Sequence, residues 1–159
     1  MRSIMARVQM QVNSVDRILD IDTRTTLLDT VREHLGLTGA KNGCDHGHCG
    51  TCTVLLDGRR VKSCLVLAVT VGGSKVTTVE GLSDGDALHP MQKAFIEYDA
   101  FQCGFCTPGQ ICSAIGMLGE ANAAGVVLDD DDIREMMSGN LCRCGAYTNI
   151  VAAIAAVGR

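Results

Sequence analysis

Eight of the nine cysteines in this 159-residue chain form two sets of four, and each set lies in its own half. Cys44, Cys49, Cys52 and Cys64 follow C-x4-C-x2-C-x11-C, and Cys103, Cys106, Cys142 and Cys144 follow C-x2-C-x35-C-x1-C. Four thiolates are the ligand complement of one [2Fe–2S] cluster, and the first spacing is the plant-ferredoxin kind. Structural zinc sites usually show two C-x2-C pairs or Cys/His pairs. C-x4-C-x2-C fits that poorly, and a C-x1-C pair is unusual for zinc. His46 and His48 admit a His2Cys2 site of the Rieske type, but four cysteines at ferredoxin spacing already satisfy both irons. The two histidines are therefore expected as partly exposed loop residues near a cluster, and His34 and His89 as surface or packing residues. Cys112 is left over and is expected as a buried thiol, because free cysteine packs as a small hydrophobe.

A division into two units follows, 1–81 and 82–159, joined through 81–88 (GLSDGDAL). Units of about 80 residues bury a modest share of their surface and often lean on a metal. Hydrophobic residues make up 47% of the chain, enough for a core; aromatics are only 3%, so aliphatic side chains must fill it. The net charge of −4 argues against a nucleic-acid partner. The acidic run Asp129–Asp132 reads as a solvated helix start. Residues 1–10 alternate like a strand, not like an apolar leader, and the longest apolar stretch, Ile150–Val157, is too short to span a bilayer. The chain is expected in the cytoplasm without direct membrane insertion, export with a partner being left open; there, cysteines bind metal more often than they pair.

In the first half, residues 6–12 and 15–21 alternate as strands around a turn at Asn13–Ser14. Thr25 and Thr26 precede a helix with Leu28, Val31 and Leu35 on one face, stopped by Gly36. Thr53–Leu56 and Val61–Val71 read as strands joined at Asp57–Gly58, and Val76–Val79 as a last short strand. From residue 88 the period changes to helical. Met91, Ala94, Phe95 and Tyr98 share one face; Pro108 opens a second helix carrying Ile111, Ala114, Ile115 and Leu118. Ile133, Met136 and Met137 mark a third, and 147–157 a fourth, so four short helices are expected. Glycines beside the cysteines relax the backbone and let N–H groups approach sulfur. Lys41 and Arg143 flank ligands and read equally well as counter-charges or as solvated residues.

At these residues the chain resembles a known family. TGAKNGCDHGHCGTCTVLLDG, AFQCGFCTPGQ and GNLCRCGAY are similar to the iron–sulfur subunit of the xanthine oxidase family of molybdenum hydroxylases, with all eight cysteines in order. The resemblance implies an α+β chain: an N-terminal β-grasp, ferredoxin-like domain (1–81) followed by a four-helix-bundle [2Fe–2S] domain (82–159). It also implies a large partner subunit holding molybdopterin and a medium subunit holding FAD. The absence of any G-x-G or Walker pattern agrees with flavin binding elsewhere. By the same resemblance the helical-domain cluster lies next to the pterin, with Gln102 and Cys144 approaching it. The implied function is electron transfer from molybdopterin through two [2Fe–2S] clusters to FAD or another acceptor, with an aldehyde or N-heteroaromatic as substrate. A free-standing two-cluster ferredoxin-like carrier and a zinc-stabilised interaction module are the alternatives.

Overall fold

The computed structural model describes residues 4–158. Asn13 and Ser14 both take positive φ (50° and 64°), the backbone a two-residue hairpin needs. They fold β1 (Met5–Val12) onto β2 (Val15–Asp22) with Val12 opposite Val15. Along β1, Val8, Met10 and Val12 point inward while Arg7 and Gln9 stay exposed. Asp57 and Gly58 (φ 50° and 80°) turn β3 (Thr53–Leu56) into β4 (Arg59–Lys62). β5 (Lys75–Thr77) enters between the hairpins, parallel to β1 and antiparallel to β3, giving the order β2-β1-β5-β3-β4.

The helix expected after Thr26 is present but short. The Thr26 hydroxyl accepts the Asp29 N–H at 3.0 Å and starts α1 (Leu27–Asp29), which widens at once into a π turn over Thr30–His34. Leu27, Leu28 and Val31 enter the same core as Val8, Met10, Val12, Val54 and Val76.

The strand expected over Val61–Val71 forms only at its start, where Val61 and Lys62 end β4. β4 stops at Lys62, and 3-10 turns follow at Ser63–Leu65 and Ala68–Val71. The buried Ser63 hydroxyl donates to the Cys52 carbonyl at 2.7 Å, which bends the chain and turns Cys64 toward Cys52. Beyond it the backbone pairs with the start of α1, Leu27 N–H to Val66 O and Ala68 N–H to Thr25 O. The valines that suggested a strand fill the core from a loop. The last strand likewise ends at Thr77, before a 3-10 turn at Val79–Gly81.

The second half holds α2 (Pro90–Glu97), α3 (Thr107–Ala124), α4 (Asp130–Met137) and α5 (Tyr147–Gly158). Each start or stop has a local cause. His89 Nδ1 accepts the Met91 N–H at 3.1 Å, and Gln92 reaches back to the His89 N–H at 2.9 Å. Asp129 caps α4 by accepting from Asp131 and Asp132, both at 2.9 Å. Gly125, at φ 68°, ends α3. α2 and α4 pack on α5 around Met91, Phe95, Ile133, Ile150 and Ile154. Fully burying a side chain of that size contributes about 1.5–3 kcal/mol. Tyr98 does not join this face; it follows the helix end and is 43% exposed.

α3 is not short. It runs 18 residues and packs on the other helices and on β3 and β4. Gln110, Cys112, Ser113 and Gly116 are therefore buried along with Ile111, Ala114 and Met117. A Cβ on Gly116 would stand 3.0 Å from Arg60 Cβ, so the bare helix surface there admits the sheet. Arg60 adds a tie, donating to Met136 O at 2.8 Å and pairing with Glu120 at 3.2 Å.

Candidate metal centres

The loop 41–52 delivers three cysteines in one turn of chain, and Cys64 arrives from the 3-10 turn after β4. Backbone N–H groups aim at sulfur: those of His48 and Cys49 both lie 3.3 Å from Cys44 Sγ. The N–H of His46, then that of Cys49, pull the Cys44 thiol down to about 6. Burial, then the neighbouring Cys52 thiol, pushes Cys64 up to about 11. Cys49 also acts on the Cys44 thiol, and Cys44 on that of Cys64, so the four side chains share one neighbourhood.

The second set has the same design. Cys103 and Cys106 precede α3, while Cys142 and Cys144 lie between α4 and α5. Cys103 meets Cys144 at the exposed edge, and Cys106 meets Cys142 in the interior. The Phe105 N–H, then Cys144, lowers Cys103, whereas burial, then Cys142, pushes Cys106 up to about 12. Ala146 N–H donates to Cys142 Sγ at 3.4 Å.

Within each set the thiols lie close enough to perturb one another, Cys64 feeling Cys52 and Cys44 and Cys106 feeling Cys142 and Cys103, and four thiols so gathered suit an iron–sulfur core. N–H groups aimed at the sulfurs suit an anionic cluster. The residues present fit two [2Fe–2S] clusters.

The two centres are neighbours. One cleft of about 610 Å³ is lined by Cys44 and Cys49 of the first set and by Cys103, Cys106 and Cys142 of the second, with Phe105, Leu141 and Tyr147 between them. Leu141 N–H donates to the Cys49 carbonyl at 2.8 Å, so one hydrogen bond joins a cysteine of one loop to the residue preceding a cysteine of the other. Beneath it, the buried Asn140 amide donates to Gly50 O at 3.0 Å and Gly109 O at 3.2 Å, and Gln110 donates to Asn140 O at 2.8 Å. Gly50 has φ 71°, and a Cβ there would lie 2.5 Å from Gly139 O.

The other sequence candidates are placed as follows. Gln102 is exposed beside Cys103, and Cys144 is exposed at the same edge. The His46 and His48 rings stack edge to face at 4.5 Å in solvent, and these residues serve sulfur through their backbone. Lys41 turns away from the cysteines to the Thr38 carbonyl, while exposed Arg143 lines the cleft. Cys112 is buried in α3, its thiol pushed up to about 12 by burial, then by the charge of Glu80. Sequence reasoning missed Thr51, Phe105, Gln110, Asn140 and Leu141, which carry no ligand chemistry of their own.

Residues 10–83 match the family described as a 2Fe-2S iron-sulfur cluster binding domain, and residues 78–155 the [2Fe-2S] binding domain. The chain is 56% identical over 156 residues to the aldehyde oxidoreductase iron-sulfur-binding subunit PaoA of Escherichia coli K12, spanning 91% of this chain and 68% of that protein. It is 48% identical over 147 residues to the nicotine 6-hydroxylase small subunit of Paenarthrobacter nicotinovorans, spanning 92% and 86%. Its fold superimposes on quinoline 2-oxidoreductase from Pseudomonas putida 86 with a TM-score of 0.90 and 43% identity, over 97% of this chain and 93% of that one. With two [2Fe–2S]-binding domains and relatives of this kind along its length, the chain belongs to the iron–sulfur subunits of molybdenum hydroxylases, oxidoreductases of several subunits.

Proposed function

We propose that this chain carries electrons from a molybdopterin centre on a large partner subunit, through two [2Fe–2S] clusters, to FAD on a medium subunit or to another acceptor. Cys44, Cys49, Cys52 and Cys64 hold one cluster; Cys103, Cys106, Cys142 and Cys144 hold the other. When bound, each cluster supplies one-electron chemistry at a potential set by hydrogen bonds to sulfur and by exposure. The chain's own part is to fix the two clusters against each other and to shield them. The observation that carries this reading is the single cleft lined by cysteines of both sets and crossed by the Leu141 N–H to Cys49 O bond.

Exposed Gln102 and Cys144 mark the edge that faces the pterin, and Cys144 is where electrons enter. The first domain, 1–81, is a β-grasp unit and the second, 82–159, a four-helix bundle; the mixed sheet and the packing of α2 and α4 on α5 support this division. The substrate of the assembled enzyme is an aldehyde or an N-heteroaromatic, in keeping with the relatives' names. The assembly works in the cytoplasm, or beyond it if exported with a partner; separately, among the described residues no helix is long and apolar enough to cross a membrane.

The test is metal analysis of the protein purified with its natural partners. About four iron atoms per chain with about one molybdenum is the expected result. Iron without molybdenum favours a free carrier, and zinc in place of iron overturns the redox reading. Cys144→Ser is expected to remove one cluster's EPR signal and to slow electron flow out of molybdenum; unchanged turnover overturns the proposed route.

A further inference from the structure

We infer that the Thr51 hydroxyl is a hydrogen-bond donor to the sulfur of Cys49 and raises the potential of the cluster at Cys44, Cys49, Cys52 and Cys64; this rests on the ligand reading above. Thr51 Oγ1 lies 3.1 Å from Cys49 Sγ and 3.1 Å from the Lys41 carbonyl, and the residue is only 5% exposed. A Cβ on Gly43 would stand 2.7 Å from that hydroxyl and 2.9 Å from that sulfur, so the pair lies directly under the bare Gly43 backbone. The Phe105 ring, brought by the second cysteine loop, comes within 3.6 Å of the same point. The hydroxyl and the sulfur are therefore packed on two sides by the protein.

With Cys49 as a thiol, the S–H can donate to Thr51 Oγ1, and the hydroxyl can donate onward to Lys41 O. A ligating sulfur has no proton to give. The hydroxyl proton is then the only one shared among oxygen and sulfur at this spot. It turns to the sulfur, because a bond to an anionic acceptor is about twice as strong as one between neutral groups. Reduction makes the cluster more negative, so the bond strengthens in the reduced state and favours it. No proton changes owner; the hydroxyl is a positioning and tuning group that acts through the ligand. Thr51 is almost fully buried, which raises the effect of its hydroxyl.

Three substitutions separate the hydroxyl from the volume: Thr51→Val and Thr51→Ala remove it, and Thr51→Ser keeps it. The measurement is an EPR-monitored redox titration of the cluster-loaded assembly, in which the second cluster serves as internal control. At the wild-type midpoint of the first cluster, the reduced-to-oxidised ratio is expected to fall from one to about one tenth in both Val and Ala. That is about 59 mV for a one-electron couple. Thr51→Ser is expected to stay near wild type, and the second cluster not to move. Val and Ala variants titrating with wild type, or a Ser variant shifted as far as Val, would overturn the hydroxyl's role. Cys49→Ser separates this failure from a deeper one: if both EPR signals survive it unchanged, the ligand reading itself falls, and the inference with it.

Discussion

A single imidazole holds the entrance to α2. His89 Nδ1 can accept the Met91 N–H only while unprotonated, and burial lowers the imidazole's pKa from its ordinary value. The folded chain thus takes up this proton less readily than the unfolded chain, whose histidine titrates near ~6.5. The stabilisation is present above that value and is lost as pH falls through the lower folded value. Thermal melts across this range are expected to show the melting temperature falling as pH falls. His89→Asn, which keeps an acceptor without a titrating ring, is expected to flatten that slope. At this scale the sequence was readable where chemistry restricts the residue type: the grouping of cysteines is visible in their spacing. Asn140 was not readable. Its partner Gly50 lies 90 positions away, and nothing local distinguishes an asparagine that clamps two loops from one on a surface.

Among the elements, the segment from Gly139 to Cys142 bears on the first cysteine loop through one side chain and one backbone N–H. Asn140→Ala leaves the carbonyls of Gly50 and Gly109 without that donor and is expected to cost about 1–3 kcal/mol in urea unfolding. Asn140→Asp should cost more, because a carboxylate there faces carbonyls and offers no proton. In the opposing element, Gly109→Ala drives a Cβ into Gly50 O and into the Thr51 backbone, and neither can retreat as a flexible side chain would. It is expected to lower iron content per chain, measured after purification, whereas Gly119→Ala, with open space at its Cβ, should leave iron content intact. The elements that departed from expectation did so for related reasons. The run from Val61 to Val71 has strand composition, but Ser63 bonds back to Cys52 and breaks the ladder. α3 is buried along several faces, so no single apolar stripe announced how far it extends or that it meets the sheet.

The molecule as a whole is joined more tightly than a division at residues 81–88 suggests. α3 contacts β3 and β4, Arg60 reaches Met136 and Glu120, and Leu141 bonds to Cys49. Loss of helical circular dichroism and loss of visible cluster absorbance are therefore expected to coincide in one denaturant transition; two separated transitions would contradict this coupling. The sequence showed two units because each has its own periodicity and its own cysteines. It could not show their shared surface, where glycines, amides, backbone carbonyls and the Arg60–Glu120 pair meet without any period. The Asn140 clamp also has a calendar. Translation finishes the first cysteine quartet at Cys64, before it has begun α2, and makes Asn140 only after α2, α3 and α4. Throughout that interval the nascent loop lacks the Asn140 and Leu141 bonds that anchor it. The first loop therefore gains its anchor only as the second quartet is being completed, at Cys142 and Cys144.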